Sequence, residues 1–266
     1  MFSDTFSRQY KMFPATPILA YHQITAGDPS KELGFAVSAN QFERQMDYLY
    51  DHGYRCLSLM ELLSFSGHKP PRRAFVLTFD DGYKDFLTQA HPILQRYGFT
   101  ATVFLVTDLV GEQSNWVGAT NTPLLTWEQV KTLHEAGISF GSHTCTHPRL
   151  LCLSDEQIWH ELAASKECLE AKLGQEVPLL AYPYGESNDK SQRMAMQAGY
   201  KAACGVSVGK SSRFNLWRRQ CDKDDNLKTF TFKLSRWYYY LQWSRNETIV
   251  GQFLRKVKRR WFSDRR

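Results

Sequence analysis

The chain has 266 residues, of which 42% are hydrophobic, 14% aromatic and 23% charged, so a disordered or fibrous protein is excluded. No run of about 18 apolar residues occurs, which excludes a membrane-spanning helix. The net charge of +6 resides in residues 245–266, because the first 244 residues are neutral overall. A nucleic-acid groove across the main body is therefore not expected.

The amino terminus predicts an extension over residues 1–16 rather than a secretory signal. It lacks a basic start followed by an apolar run. The six cysteines form no Cys-x-x-Cys pair, so free thiols are expected instead of a disulfide framework. Together these features predict a cytoplasmic protein.

One pattern recurs along the chain: a charged segment with helical periodicity ends in glycine, and an apolar run follows. Glycine after a helix suits the left-handed cap position. A β-branched or aromatic run suits a buried strand. The glycines concerned are Gly53, Gly98, Gly137 and Gly199.

Helices and strands are predicted to alternate over residues 17–244. Strands are expected at residues 17–21, 74–79, 138–141, 178–182 and 202–206. Helices are expected from residue 38 or 40 to about 52, and at 83–97, 126–136, 154–173 and 187–198, where Ser154 opens a capping box with Gln157. This alternation predicts an α/β fold with a parallel sheet. About seven strands favour a closed or nearly closed barrel, and an open doubly wound sheet is the alternative.

Polar clusters follow four of the predicted strands, where a βα barrel collects its functional groups. The clusters are Tyr21-His22, residues 78–82 (Thr-Phe-Asp-Asp-Gly), residues 142–148 (Ser-His-Thr-Cys-Thr-His-Pro) and residues 181–185 (Ala-Tyr-Pro-Tyr-Gly). No glycine-rich phosphate-binding motif precedes any predicted helix, which argues against a nucleotide-binding enzyme.

Asp80 and Asp81 would repel each other in a partly dry site, and a divalent cation removes that conflict. His143 and His147 are four residues apart, so on one helical turn they would face the same way. Two imidazoles with Asp81 leave positions open for water, which suits a catalytic Zn²⁺-like ion. The alternatives are a solvated Asp-Gly turn and ordinary core or surface histidines.

These motifs together resemble those of the polysaccharide deacetylases, carbohydrate esterase family 4. The resemblance rests on residues 78–82, 143–147 and 182–185 and extends over about residues 17 to 220. The opening resembles one subgroup through Tyr21-His22, residues 42–49 and Gly53-Tyr54.

The resemblance implies a distorted (β/α)7 barrel that removes N-acetyl groups from an amino-sugar glycan or a lipid-linked sugar. Asp81, His143 and His147 would hold the metal, with Zn²⁺ first among the transition metals. Asp80 would be the general base, and the backbone N–H of Tyr184 would hold the oxyanion. The substrate contacts are assigned to Tyr184, Tyr182 and Arg218.

The sequence departs from the family pattern at two positions, so other residues have to be considered for the two roles concerned. Ala181 or Tyr182 occupies the region where an arginine usually orients the base, and no histidine follows His160. Barrel closure would place the first strand beside the last, so His22 is the candidate acid. Arg218 or Arg219 could orient the base, and we assign Arg219 to the catalytic set. A core role for His22 and a solvated arginine pair are the alternatives.

Residues 245–266 place apolar side chains on one helical face among basic residues. This pattern predicts either an amphipathic helix on the inner membrane face or a helix packed on the barrel.

Trp116 and Trp127 are candidates to stack on a sugar ring. Two other functions stay open: an impaired, deacetylase-like sugar-binding protein, and a metal amidohydrolase of a small non-sugar amide.

Overall fold

The computed structural model of the protein describes residues 16–28, 35–65, 68–116, 121–206 and 212–247. Within these ranges, no helix combines the length and the apolar character needed to cross a membrane. Almost all of the predicted extension and residues 248–266 of the predicted tail lie outside them. The cytoplasmic location and the membrane contact of the tail therefore stay predictions.

The described residues form a long parallel sheet, a small separate strand pair and the helices that cover the sheet. The strands are β1 Ile18–Tyr21, β2 Ile24–Thr25, β3 Val37–Ser38, β4 Arg55–Cys56, β5 Ala74–Phe79, β6 Thr102–Leu105, β7 Ser139–Ser142, β8 Leu179–Ala181, β9 Ala202–Gly205, β10 Leu216–Trp217 and β11 Arg219–Gln220. The main sheet runs β10-β9-β8-β7-β6-β5-β1-β11, with β4 added beside β5. All of its pairings are parallel, as the alternating pattern predicts.

Six of the helices begin directly after a residue whose side chain caps them. The described helices are α1 Ala39–Asp51, α2 Leu59–Ser64, α3 His91–Tyr97, α4 Trp127–Glu135, α5 Asp155–Leu173, α6 Asp189–Gln197, α7 Leu227–Leu234 and α8 Arg236–Glu247. The capping box predicted at Ser154 is confirmed, because its side chain accepts from Gln157 N and the Gln157 side chain accepts from Ser154 N. The helix predicted over residues 83–97 begins with a π-helical turn at Phe86–Ala90. Each of the four cap glycines has φ between 65° and 91°.

A single residue closes the barrel. β10 pairs with β9 at one edge of the sheet and β11 pairs with β1 at the other, and Arg218 alone separates β10 from β11. Residues 216–220 thus join both edges, which confirms the predicted barrel. Side chains alternate between the two faces of a strand, so Arg218 faces opposite to Trp217 and Arg219.

Alternation also sorts the apolar strand residues into one packed group inside the barrel and two outside it, the second of which joins Leu180 and Ala203 to α5 and α6. One group fills the barrel interior with residues such as Ile18, Val76 and Leu216, and the leucines of α2 pack against it. The first outer group, including Leu19 and Leu77, packs against α1, α3 and α4. Above the interior group the inward positions become polar, and this change places the site at the carboxyl ends of the strands.

Close packing inside the barrel limits the side chain at Gly141 in β7. A Cβ at this position would lie 2.6 Å from the Phe104 ring and 2.9 Å from the Leu179 carbonyl oxygen. The backbone of β7 therefore approaches both of its neighbours closely, just before His143 leaves the strand.

Candidate active site

The two adjacent carboxylates reach one site through a break in strand alternation. Asp80 follows β5 in the row of Val76 and Thr78, which faces the barrel axis. Asp81 would face away in an extended strand, but its φ of 72° turns the backbone. Both side chains are buried, with 4% exposure each.

Asp81, His143 and His147 form a compact cluster of possible metal ligands. Oδ1 of Asp81 lies 3.4 Å from Nε2 of His143 and 3.4 Å from Nε2 of His147. One ligand atom from each residue lies within 4.8 Å of the others. The structure thus brings together the three residues that the sequence predicts as ligands.

The local structure behind the histidine pair differs from the prediction. Residues 143–147 form a loop and not a helical turn. Thr144 has φ 70° and His147 has φ 60°, so two left-handed residues bend the chain. The spacing of four brings the rings together through this bend, with centroids 4.9 Å apart.

The cluster fits a divalent cation in its donor chemistry. Oδ1 of Asp81 is buried and accepts no hydrogen bond from any described residue. Nδ1 of His143 donates to the Ala181 carbonyl at 2.8 Å, which leaves its Nε2 lone pair directed at the cluster. Burial lowers the pKa of His147 to about 3, aided by the nearby His143, so His147 is neutral as a metal ligand must be.

The electrostatics of His143 also favour a cation at this place. Burial by itself would lower the pKa of His143, but the charges of Asp80 and Asp81 outweigh it and raise the pKa. The site therefore attracts positive charge. Two nitrogens and one oxygen with room for water match catalytic Zn²⁺ sites.

Glu161 of α5, which is not among the residues predicted from the sequence, holds the loop that carries both histidines. Its carboxylate accepts from the backbone N–H of Cys145 at 2.8 Å and of Thr146 at 3.0 Å. The Thr146 hydroxyl donates to the other oxygen at 2.6 Å. In the sequence, Glu161 is one of several acidic residues on the helix that follows the histidine motif. Only the folded chain shows that it is buried and that it binds the loop.

Replacing Glu161 by Gln is expected to weaken metal binding about 10–100-fold, the usual effect of disturbing the partners that orient metal ligands. The amide nitrogen of Gln cannot accept from the loop, so the loop loses part of its support. Competition titration of Zn²⁺ against a chromogenic chelator measures the change. Glu167→Gln, at an exposed position of the same helix, is the matched control. Equal affinities in the two variants would contradict this role.

Asp80 is held by Arg218 and stays outside the ligand cluster. Nη1 and Nη2 of Arg218 donate to the two carboxylate oxygens at 2.6 and 2.7 Å, and Nη1 also donates to the Thr78 hydroxyl at 3.2 Å. Burial alone would raise the pKa of Asp80, but the Arg218 charge outweighs it and holds this pKa well below its usual range. Asp80 is therefore an oriented, ionised carboxylate.

Two residues assigned to the site by sequence lie elsewhere. Arg219 faces outward by strand alternation, and its Nη1 donates to the carbonyls of Lys233 and Ser235 near the end of α7. The assignment of Arg219 to the catalytic set is therefore corrected, because it is the neighbouring Arg218 that contacts Asp80. Tyr182 is fully buried among Leu150, Ile158 and other apolar residues, so its side chain does not reach a substrate.

His22 reaches the site from the first strand, as barrel closure predicts. Its Nε2 lies 3.8 Å from Oδ2 of Asp80. The Gln220 amide nitrogen, 3.1 Å from Nδ1, can only donate, so Nδ1 accepts and Nε2 carries the proton. Burial lowers the pKa of His22 despite the opposing charges of Asp81 and Asp80. The Phe35 ring stacks on the imidazole at 4.9 Å.

A cavity of about 710 Å³ opens over these residues. Tyr184 lines it in a left-handed conformation (φ 58°), with its ring 4.8 Å from the His147 ring and 4.2 Å from the Arg149 guanidinium. Trp116 lines the same cavity 4.5 Å from the His147 ring. Trp127, the other tryptophan proposed for sugar stacking, packs against the helix-facing core instead.

Comparison with known proteins places this site in a family. The sequence model of the polysaccharide deacetylases matches residues 67–203. The YxkH protein of Bacillus subtilis is 33% identical over 199 residues, covering 74% of this chain and 66% of that protein. The poly-beta-1,6-N-acetyl-D-glucosamine N-deacetylase of Staphylococcus aureus is 30% identical over 183 residues, covering 65% and 62%. The chain thus spans slightly less than two thirds of either relative.

Solved structures agree with the sequence comparisons. The Streptococcus pyogenes deacetylase PplD, in complex with acetate, superposes with a TM-score of 0.73 at 29% identity, covering 83% of this chain and 98% of that one. IcaB from Ammonifex degensii has the same fold, with a TM-score of 0.72 at 22% identity over 84% and 99% of the two chains. From its motifs, its barrel and these matches, the chain belongs to the polysaccharide deacetylase family.

Proposed function

We propose that this protein is a metal-dependent hydrolase that removes N-acetyl groups from an amino-sugar glycan. The proposal rests on the different surroundings of the two neighbouring carboxylates. Asp81 converges with His143 and His147 on one point, whereas Asp80 beside it is held by Arg218 and left free to act as a base.

Asp81, His143 and His147 would hold a divalent ion, for which Zn²⁺ is our proposal. Such an ion acts as a Lewis acid that acidifies water and polarises a carbonyl group. Asp80, ionised and oriented by Arg218, accepts a proton from the attacking water. The Arg218 fork keeps the carboxylate in one position, so the base is in place before substrate arrives.

His22 and Tyr184 complete the proposed reaction. His22 has Nε2 on the side of Asp80, where its imidazolium form would give a proton to the leaving amine and become neutral imidazole. The proton that Asp80 takes from the attacking water would then recharge His22. The backbone N–H of Tyr184, in the loop after β8, donates to the oxyanion that forms on the acetamide. Acetate and a free amine are the products.

The substrate that we propose is a polymer of β-1,6-linked N-acetylglucosamine. The Staphylococcus aureus relative carries this polymer in its name. The aromatic rings of Phe35 and Trp116 line the cavity, and such rings can stack on sugar faces.

Acetate release tests the proposal. The Zn²⁺-loaded chain should release acetate from β-1,6-linked N-acetylglucosamine oligomers, and more slowly from β-1,4-linked oligomers of the same length. Acetanilide serves as the small non-sugar amide. Faster hydrolysis of acetanilide would favour a general amidohydrolase. Tight binding of oligomers without any acetate release would favour a sugar-binding protein, and either result would contradict the proposal.

A further inference from the structure

A second cavity, of about 900 Å³, lies at the opposite end of the barrel. Its walls come from the segments that lead into the strands: Thr16 and Pro17 before β1, residues 69–73 before β5, and the junction of α7 and α8. The metal-ligand cluster follows the carboxyl ends of the same sheet. β5 alone, with six residues, separates the two cavities by roughly 20 Å.

The lining of this second cavity is cationic. Lys69, Arg72, Arg73 and Arg236 contribute to it, and all four are exposed. Of the described residues that line the cavity, none is acidic, and no described carboxylate forms an ion pair with these four cations. The Arg73 guanidinium donates to the His52 carbonyl at 2.5 Å, which fixes its position. An anionic ligand would supply the missing countercharge.

Exposed aromatic and aliphatic side chains lie beside these cations on α8. Trp237 is 76% exposed, Tyr240 54% and Leu241 44%. Their spacing of three and four residues places them on one stripe of the helix. Tyr240 also lines the cavity, so the aromatic stripe and the cations form one continuous surface, which we call the basal surface. Large apolar side chains that are exposed together on one face indicate a binding surface.

The composition of the basal surface matches the interface of an anionic bilayer. Tryptophan and tyrosine are enriched at the headgroup level, where their rings have one apolar and one polar side. Lysine and arginine near such a surface gain energy from anionic lipids. The chain continues from α8 into residues 248–266, which contain seven basic residues and one acid, so the basic character extends beyond the described helix.

We propose that the basal surface docks on an anionic lipid bilayer, with lipid phosphates bound by the cations of the second cavity and Trp237 and Tyr240 at the headgroup level. This orientation points the metal-ligand cluster away from the lipid by at least the length of β5. If the proposed function holds, the enzyme then acts on glycan that extends away from the membrane, and not on a sugar attached directly to a lipid headgroup.

Vesicle co-sedimentation of the full chain tests the docking. Wild-type protein should pellet with vesicles of phosphatidylglycerol and phosphatidylcholine and stay in solution with phosphatidylcholine alone. Arg72→Gln/Arg236→Gln should lower the partition coefficient about 25-fold, since each cation near an anionic surface contributes roughly fivefold. Trp237→Ala/Tyr240→Ala should also weaken pelleting. Lys131→Gln/Arg193→Gln removes the same charge from exposed positions outside the basal surface and is the matched control.

Several outcomes would overturn the proposal. If both basal variants pellet like the control, residues 248–266 alone bind the lipid. Equal pelleting with phosphatidylcholine alone would show that phosphates are not recognised. Absence of pelleting by wild-type protein would also refute docking. Acetate release from soluble oligomers should be unchanged in the basal variants, so a failure of docking is distinguishable from a failure of the proposed catalytic function.

Discussion

Asp80→Asn is expected to slow acetate release by about 10²–10⁴-fold while leaving the metal content unchanged. The amide cannot accept the proton that general-base catalysis assigns to the carboxylate. Metal stays because Asp80 lies outside the cluster of Asp81, His143 and His147. Single-turnover acetate release, together with metal analysis of the same sample, measures both effects. Near-full activity in this variant would contradict the role of Asp80.

The same substitution leaves the buried Arg218 charge without its carboxylate, which lowers the stability of the fold. Breaking one partner of a buried ion pair destabilises a protein by about 3–5 kcal/mol. Thermal unfolding should therefore show a lower midpoint for Asp80→Asn. The double variant Asp80→Asn/Arg218→Gln should recover part of the stability and none of the activity. Recovery of activity along with stability would show that folding, and not the base, was affected.

His143→Ala is expected to abolish both metal binding and turnover. This imidazole contributes a ligand atom within 4.8 Å of the other two, and its Nδ1–H donates to Ala181, so no other side chain of the cluster can replace it. Metal stoichiometry by mass spectrometry after dialysis measures the first effect, and acetate release the second. Chelator treatment of the wild-type protein should reproduce the loss, and added Zn²⁺ should reverse it in wild type only.

The matched control is His160→Ala, at an exposed position of α5. This variant should keep stoichiometric metal and full turnover. A His143→Ala protein that still holds one equivalent of metal at wild-type affinity would show that His143 is not a ligand. The assignment of the cluster as a metal site would then have to be abandoned.

The identity of the site residues was easier to predict than the backbone conformation that positions them. Asp81, His143 and His147 were predicted as a set, because two imidazoles and a carboxylate at strand ends suit one cation. The prediction of a shared helical turn was wrong. Left-handed backbone at Thr144 and His147 shapes the loop, and Glu161 supports it from α5, the next helix along the chain. A spacing of four residues is compatible with either local structure.

The local sequence pattern does not predict which of Arg218 and Arg219 contacts Asp80. Adjacent residues of a strand face opposite sides, so a shift of register by one residue would exchange their positions. The register is set by the pairing of Leu19 with Arg219 and of Leu216 with Cys204. Those partners are about 200 and 12 residues away in the chain, so the sequence around the arginines does not specify which one meets Asp80.

Local chemistry along the chain was sufficient for the cap residues, the alternation of helices with buried strands and the composition of the candidate metal site. These features depend on hydrogen bonds and apolar periodicity within a few residues. The burial of Tyr182 depends on the packing of its ring against apolar residues such as Ile158 of α5. The inward orientation of Arg218 and the position of His22 beside Asp80 depend on closure of the barrel. Closure joins the two ends of the sheet, and only that contact between distant segments orients their side chains.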